Sequence, residues 1–116
     1  MGSGGMGGVR CAAVPDKRRP VLLLTRDEVI GALNEIIVVP VTRTIRGIAT
    51  EVLLSSSDDG MPADCALNFD HVSLAQRSRL GPVITTLPQA RWPEVESALL
   101  VACGFSSPEE QAARGR

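Results

Sequence analysis

Aromatic side chains are scarce in this 116-residue chain: they make up 3% of it, with no Tyr, two Phe and one Trp. Any core must therefore be built from Val, Leu, Ile and Ala. Stacking on nucleic-acid bases would fall to Phe69, Phe105 and Trp92 alone. There is a single histidine, His71, which excludes a mechanism that passes a proton between two imidazoles. No apolar run approaches the roughly 20 residues that cross a bilayer. The N-terminus, MGSGGMGGVR, lacks the apolar stretch of a secretory signal. The three cysteines, Cys11, Cys65 and Cys103, are odd in number and widely spaced. They spell neither a disulfide framework nor a zinc site. Apolar neighbours flank each, so they are expected to be buried, reduced thiols in a cytoplasmic protein with no membrane partner. GSGGMGG precedes no strand–helix unit and reads as a linker, and G-x-S-x-G, H-E-x-x-H and C-x-x-C are all missing. No metal and no cofactor are expected.

What is present suits one ordinary globular domain, with 44% hydrophobic and 22% charged residues. The net charge is −1 but unevenly spread. Residues 1–46 carry seven Lys/Arg against four acids, and residues 47–116 carry five against nine. One face can then attract phosphate while another repels it, although an ordinary solvated surface gives the same pattern. Residues 1–8 are expected to be a disordered tail, 9–105 a single domain, and 106–116 a flexible tail.

Within the domain, strand signals dominate. Val9 to Val14 is a short apolar stretch. Pro20 to Thr25 (PVLLLT) is a clearer strand, with Pro20 at its start where no ladder donor is needed. Glu35 to Thr42 (EIIVVPVT) is the strongest β-branched run, and Pro40 inside it demands a bulge or a local edge. Thr50 to Leu54 and Cys65 to Phe69 follow, and His71 to Thr85 suggests one or two more strands. Arg43 to Gly47 reads as a hairpin connection with Gly47 in the turn. A short helix capped by Thr25 would bury Val29, Ile30 and Leu33. A second, from about Trp92 to Cys103, has Pro93 in its first turn, Glu94 at its positive end and Gly104 as its stop. Its apolar stripe is Trp92, Val95, Leu99, Ala102 and Cys103. Several short strands plus a C-terminal helix predict a mainly β (α+β) fold, a small SH3-like antiparallel β-barrel with a helix against it.

The chemistry concentrates at strand ends. Lys17-Arg18-Arg19 abuts the start of one strand, and Thr42-Arg43-Thr44-Ile45-Arg46 closes another. Guanidinium forks and Thr hydroxyls make a cradle for phosphate oxygens if those ends share one rim. A solvated turn cluster is the competing reading.

These segments, taken in order, resemble the MazF/PemK toxin family. KRRPVLLLT resembles the R-P-V/A strand that opens its conserved part. VVPVT, a polar loop and TEVLL resemble its next strands. ADCALNF resembles its D-(S/C)-V stretch, and GPVITTLPQARWPEVESALL its closing strand and helix. The resemblance runs over roughly residues 9–105 and implies an SH3-like barrel that forms homodimers. It further implies a metal-independent, sequence-selective endoribonuclease of single-stranded RNA (mRNA, tRNA or rRNA), held inactive by a cognate antitoxin. Arg19 and Thr42 fall at the family's catalytic positions. The opening VRCAAV lacks the family's usual aromatic, and the loop before Arg19, Pro15 to Arg18, is short, with Asp16 as its acidic residue. Lys17, Arg18, Arg43, Thr44 and Arg46 are candidates for backbone phosphates, and Asn68, Asp70 and Gln76 for base edges. For Asn68 and Asp70, capping of a turn is an equal alternative. His71 reads as a partly buried turn residue. A non-catalytic binder on the same fold, such as a gyrase-poisoning relative or an RNA-binding barrel, is the alternative function.

Overall fold

The computed structural model describes residues 12–16 and 19–110. The expectations placed on residues 1–8, on Val9 to Cys11, on Lys17 and Arg18, and on residues 111–116 lie outside the described residues. Among those described, seven strands form one curled antiparallel sheet. They are β1 (Ala12–Asp16), β2 (Arg19–Leu23), β3 (Glu35–Thr42), β4 (Glu51–Leu54), β5 (Cys65–Asn68), β6 (Ser73–Gln76) and β7 (Thr85–Thr86). The order is β4-β5-β3-β2-β1-β7, with β6 added against the first half of β3. A short helix α1 (Asp27–Ile30) follows β2, and α2 (Trp92–Ala102) closes the fold. The architecture is a half-barrel with a C-terminal helix, as the strand pattern predicts. None of the described helices is long and apolar enough to cross a membrane.

Strand β3 organises the sheet. On one side it pairs with β2, Val21 opposite Pro40 and Leu23 opposite Val38. On the other it pairs with β6 from Glu35 to Val38, then with β5 at Val41 and Thr42. Pro40 marks the change of partner. Ile37 accepts from the Leu24 N–H at 2.8 Å and donates to the Thr25 hydroxyl at 2.7 Å, so odd residues of β3 direct their main-chain groups towards β2. Even residues face away, and Pro40 faces the gap where β6 has ended and β5 has not begun. A missing N–H costs nothing there. The local edge is therefore real, and it bends one strand from one half of the sheet into the other.

Strand β2 is apolar at consecutive positions because both its faces are covered. Leu22 joins the cluster under α2 with Ala13, Val39, Leu67 and Phe69. Val21 and Leu23 join the opposite cluster with Val14, Ile36, Val38 and Ile30 of α1. Each such fully buried side chain contributes roughly 1.5–3 kcal/mol by leaving water.

Several local expectations are corrected. The β3–β4 connection is not a hairpin, because β5 lies between those two strands. Thr25 does not cap α1: Arg26 is the N-cap, and the Thr25 side chain is engaged with β3. Leu33 is exposed. On α2, Pro93 and Glu94 occupy the first turn, and Gly104 follows with φ +79°. Its core residues are Val95 and Ala98, with Leu99 and Ala102 packed alongside. Cys103 is exposed, whereas Cys65 is buried and free; Cys11 lies outside the described residues. Within the expected C-terminal tail, Ser107 and Glu110 bond reciprocally, each side chain accepting from the other's N–H at 3.1 Å.

Candidate active site

The hand-over at Pro40 opens a cleft of about 670 Å³ at one end of the sheet. Its walls come from the start of β2 (Arg19, Pro20), the end of β3 (Pro40, Val41, Thr42, Arg43), the β4–β5 loop (Met61, Pro62, Ala63), and β5 with the turn after it (Cys65, Asn68, His71). The β2–β3 ladder ends at Val21 opposite Pro40, and Arg19 and Thr42 each lie two residues beyond that pair, both in the cleft wall. Among the described residues, the two charged lining residues are Arg19 and Arg43, and no carboxylate lines the cleft. This is an anion-seeking pocket in a chain of slightly negative net charge.

Hydrogen bonds fix the polarity of its uncharged groups. The Thr42 hydroxyl accepts from the Thr44 N–H at 3.1 Å. Its own proton remains free to donate. Asn68 Oδ1 accepts from the Asp70 N–H at 3.1 Å, which leaves the amide nitrogen to face a ligand as a donor. Burial, foremost, and then the Asp64 and Asp59 carboxylates push the Cys65 thiol up, while Arg43 opposes them. Cys65 thus stays protonated and poorly nucleophilic at neutral pH.

The site residues anticipated from sequence divide clearly. Arg19, Thr42, Arg43 and Asn68 share the cleft. Thr44 and Arg46 are exposed on the next turn, where Glu51 Oε1 accepts the N–H groups of Arg46 and Gly47 at 2.9 and 3.0 Å. Asp70 is exposed beside the cleft, and its Oδ2 accepts the Thr50 hydroxyl at 2.7 Å. Asp16 pairs with Arg19 between β1 and β2, and Lys17 and Arg18 lie outside the described residues. Gln76 pairs with Glu35, at the opposite end of β3 from Thr42. Seven residues of strand separate them, roughly 23 Å at 3.3 Å each. Gln76 instead lines a separate depression with Asn34 and Arg77.

Sequence reasoning missed His71, Cys65 and the Met61-Pro62-Ala63 wall. His71 is exposed and lines the cleft rather than sitting half-buried in its turn. The wall follows from a clamp far along the chain. Arg91, just before α2, places Nε 3.4 Å from Asp59 Oδ1, bonds Glu94 through Nη1 at 2.9 Å, and donates to the Leu53 carbonyl. Asp59 Oδ2 in turn accepts the Ser55 N–H at 2.8 Å. Among the described residues there is no cluster of three or more His, Cys, Asp or Glu able to hold a metal ion.

The curled antiparallel half-barrel therefore carries a guanidinium and a hydroxyl in the wall of one cationic cleft. Residues 9–102 match the PemK-like, MazF-like toxins of type II toxin-antitoxin systems, and the chain belongs to that family. It is 39% identical over 93 residues to "Probable endoribonuclease MazF2" of Mycobacterium tuberculosis, covering 80% of this chain and 91% of that one. In three dimensions it resembles Mycobacterium tuberculosis toxin MazF-mt6, with TM-score 0.72, 33% identity, and 80% and 93% of the two chains covered. It also resembles the MazF in a MazE-MazF structure from Deinococcus radiodurans, with TM-score 0.70, 25% identity, and 84% and 97% covered.

Proposed function

We infer that this chain is an endoribonuclease that cuts single-stranded RNA without a metal, through attack of the substrate's own 2′-hydroxyl. One observation carries the reading: Arg19 and Thr42, at the neighbouring ends of β2 and β3, line one cleft whose charged lining residues, among those described, are both cations. Family membership and relatives named as endoribonucleases support it.

The 2′-oxygen attacks the adjacent phosphorus and the 5′-oxygen leaves, giving a 2′,3′-cyclic phosphate and a 5′-hydroxyl. Negative charge builds on the non-bridging oxygens. The Arg19 fork holds two oxygens at once, and Thr42, oriented by the Thr44 N–H, donates to the phosphate. A guanidinium with a pKa above 12 is a poor base at pH 7, so Arg19 acts as a fixed positive clamp. Arg43 and, on the turn beyond β3, Thr44 and Arg46 take flanking phosphates, while Asn68 offers donors to a base edge. DNA lacks the nucleophile and should survive.

The working form is taken to be a homodimer in the cytoplasm, restrained by a cognate antitoxin. The MazE-MazF neighbour supports the antitoxin. The exposed Ile37–Leu74 pair on β3 and β6 offers apolar surface for such contacts.

The test incubates the chain with a long single-stranded RNA and excess EDTA, beside Arg19→Ala and Thr42→Ala. Wild type should cut and leave cyclic-phosphate ends. Each variant should lose about 10²–10³-fold in rate, as for other lost transition-state donors. Intact RNA with wild type, or equal cutting by both variants, sinks the reading.

A further inference from the structure

We propose that His71 is a catalytic residue of this cleft, the group that takes the proton from the attacking 2′-hydroxyl. The inference rests on the endoribonuclease reading and deepens it, because that reading supplies positive charge and donors but nothing to receive a proton.

The side chains lining the cleft can be sorted by what they accept. Arg19 and Arg43 have no lone pair to offer. Asn68 has committed its carbonyl oxygen to the Asp70 N–H and turns donors to the ligand. Thr42 already accepts from Thr44 and is far too weak a base. Cys65, deep in the wall, keeps its proton. Asp70, the nearest carboxylate in sequence, is not part of the lining and holds Thr50. Among the described residues, the imidazole of His71 is the one lining side chain that offers a ring-nitrogen lone pair and is open to solvent. It sits on the 3-10 turn Phe69–His71, whose buried Phe69 anchors it in the core under α2. A base held on such an anchored turn suits proton transfer better than one on a free loop.

The step balances as follows. The 2′-oxygen forms a bond to phosphorus as its proton passes to a neutral His71 nitrogen. The bond from phosphorus to the 5′-oxygen breaks, and that oxygen takes a proton from solvent water. The imidazolium then returns its proton to the hydroxide so formed. Among the described residues, the charged and titratable groups that line the cleft with His71 are Arg19, Arg43 and Cys65, and Asp70 lies on its own turn. The α2 residues that share Phe69's core cluster are Val95 and Ala98, with Leu99 and Ala102 packed against it, and none carries a charge.

The experiment measures cleavage of a short RNA by wild type, His71→Gln and His71→Ala across the pH range, together with binding of a 2′-deoxy analogue that cannot react. Urea unfolding checks that both variants keep the fold. The expected result is a loss of about 10²–10⁴-fold in kcat, the usual span for a general base. Analogue binding should stay within threefold. The wild-type fall in kcat/KM as imidazole becomes protonated should vanish in His71→Gln, and added imidazole should restore part of the His71→Ala rate. Variants that cut within threefold of wild type, with the same pH profile and no imidazole rescue, overturn the assignment while leaving the endoribonuclease reading intact. A wild-type chain that leaves the RNA whole overturns both.

Discussion

The Arg91 clamp gives a prediction that can be worked in numbers. Asp59 is 5% exposed, and its carboxylate is met by Arg91 and the Ser55 N–H. Arg91→Met keeps the aliphatic stem and removes the cation. Stripping the partner from a fully buried pair costs about 3–5 kcal/mol. Two features lower that figure here. The Arg91 side chain is 25% exposed, so water already screens the pair, and Asp59 retains its bond from Ser55. The 3.4 Å Nε–Oδ1 separation is also a Coulombic contact rather than a hydrogen bond. A loss of about 2 kcal/mol is expected from Arg91→Met, and about 1 kcal/mol from Asp59→Asn, which leaves a partly exposed cation still paired with Glu94. The double variant should fall near 2 kcal/mol, a coupling of about 1 kcal/mol. Urea unfolding of the four proteins at pH 7, fitted with a common slope, measures all three values. An Arg91→Met cost below 0.5 kcal/mol, or strictly additive costs, would refute the clamp. RNA cleavage on the same set reports whether the Met61-Pro62-Ala63 wall depends on it.

Two further outcomes are expected. Gly60 has φ +74°, and a Cβ there would meet Thr85 Oγ1 at 2.6 Å, while that hydroxyl is bonded to the Asp59 carbonyl. Gly60→Ala should cost about 2–4 kcal/mol in denaturant unfolding, and Gly47→Ala, at φ +70° in open space, only about 1 kcal/mol. Similar costs at the two sites would remove the Thr85 contact from the explanation. Cysteine chemistry supplies the other: at pH 8, iodoacetamide followed by peptide mapping should label exposed Cys103 at least about tenfold faster than buried Cys65. The raised Cys65 pKa also has a sign for stability. The unfolded chain loses its thiol proton first, so the wild type should lose stability, relative to Cys65→Ala, as pH rises above about 8.5. A difference between the two proteins that stays flat with pH would count against burial of the thiol.

Much of the local structure was legible because short-range chemistry specifies it. The run EIIVVPVT becomes β3 with the expected bounds, since β-branched side chains suit a pleated, buried surface. Pro40 announced a break in pairing through its missing N–H. Pro93, Glu94 and Gly104 bracket α2 through ring geometry, dipole and left-handed backbone. Ala98 was passed over because small side chains carry little periodic signal, although close packing under a helix favours them. Thr25 misled because a hydroxyl before a helix can cap it or, as here, bond a neighbouring strand.

The sequence by itself determined β2, β3, β4, β5 and α2, and the cation and hydroxyl at the ends of β2 and β3. Those features depend on each residue and its near neighbours. Tertiary structure alone decided that β5 lies between β3 and β4, that the 61–63 loop walls the cleft, and that His71 enters it while Gln76 lies at the other end of β3. Strand partners are chosen by closure of long loops and by which faces can be buried together, and local periodicity carries no record of that choice.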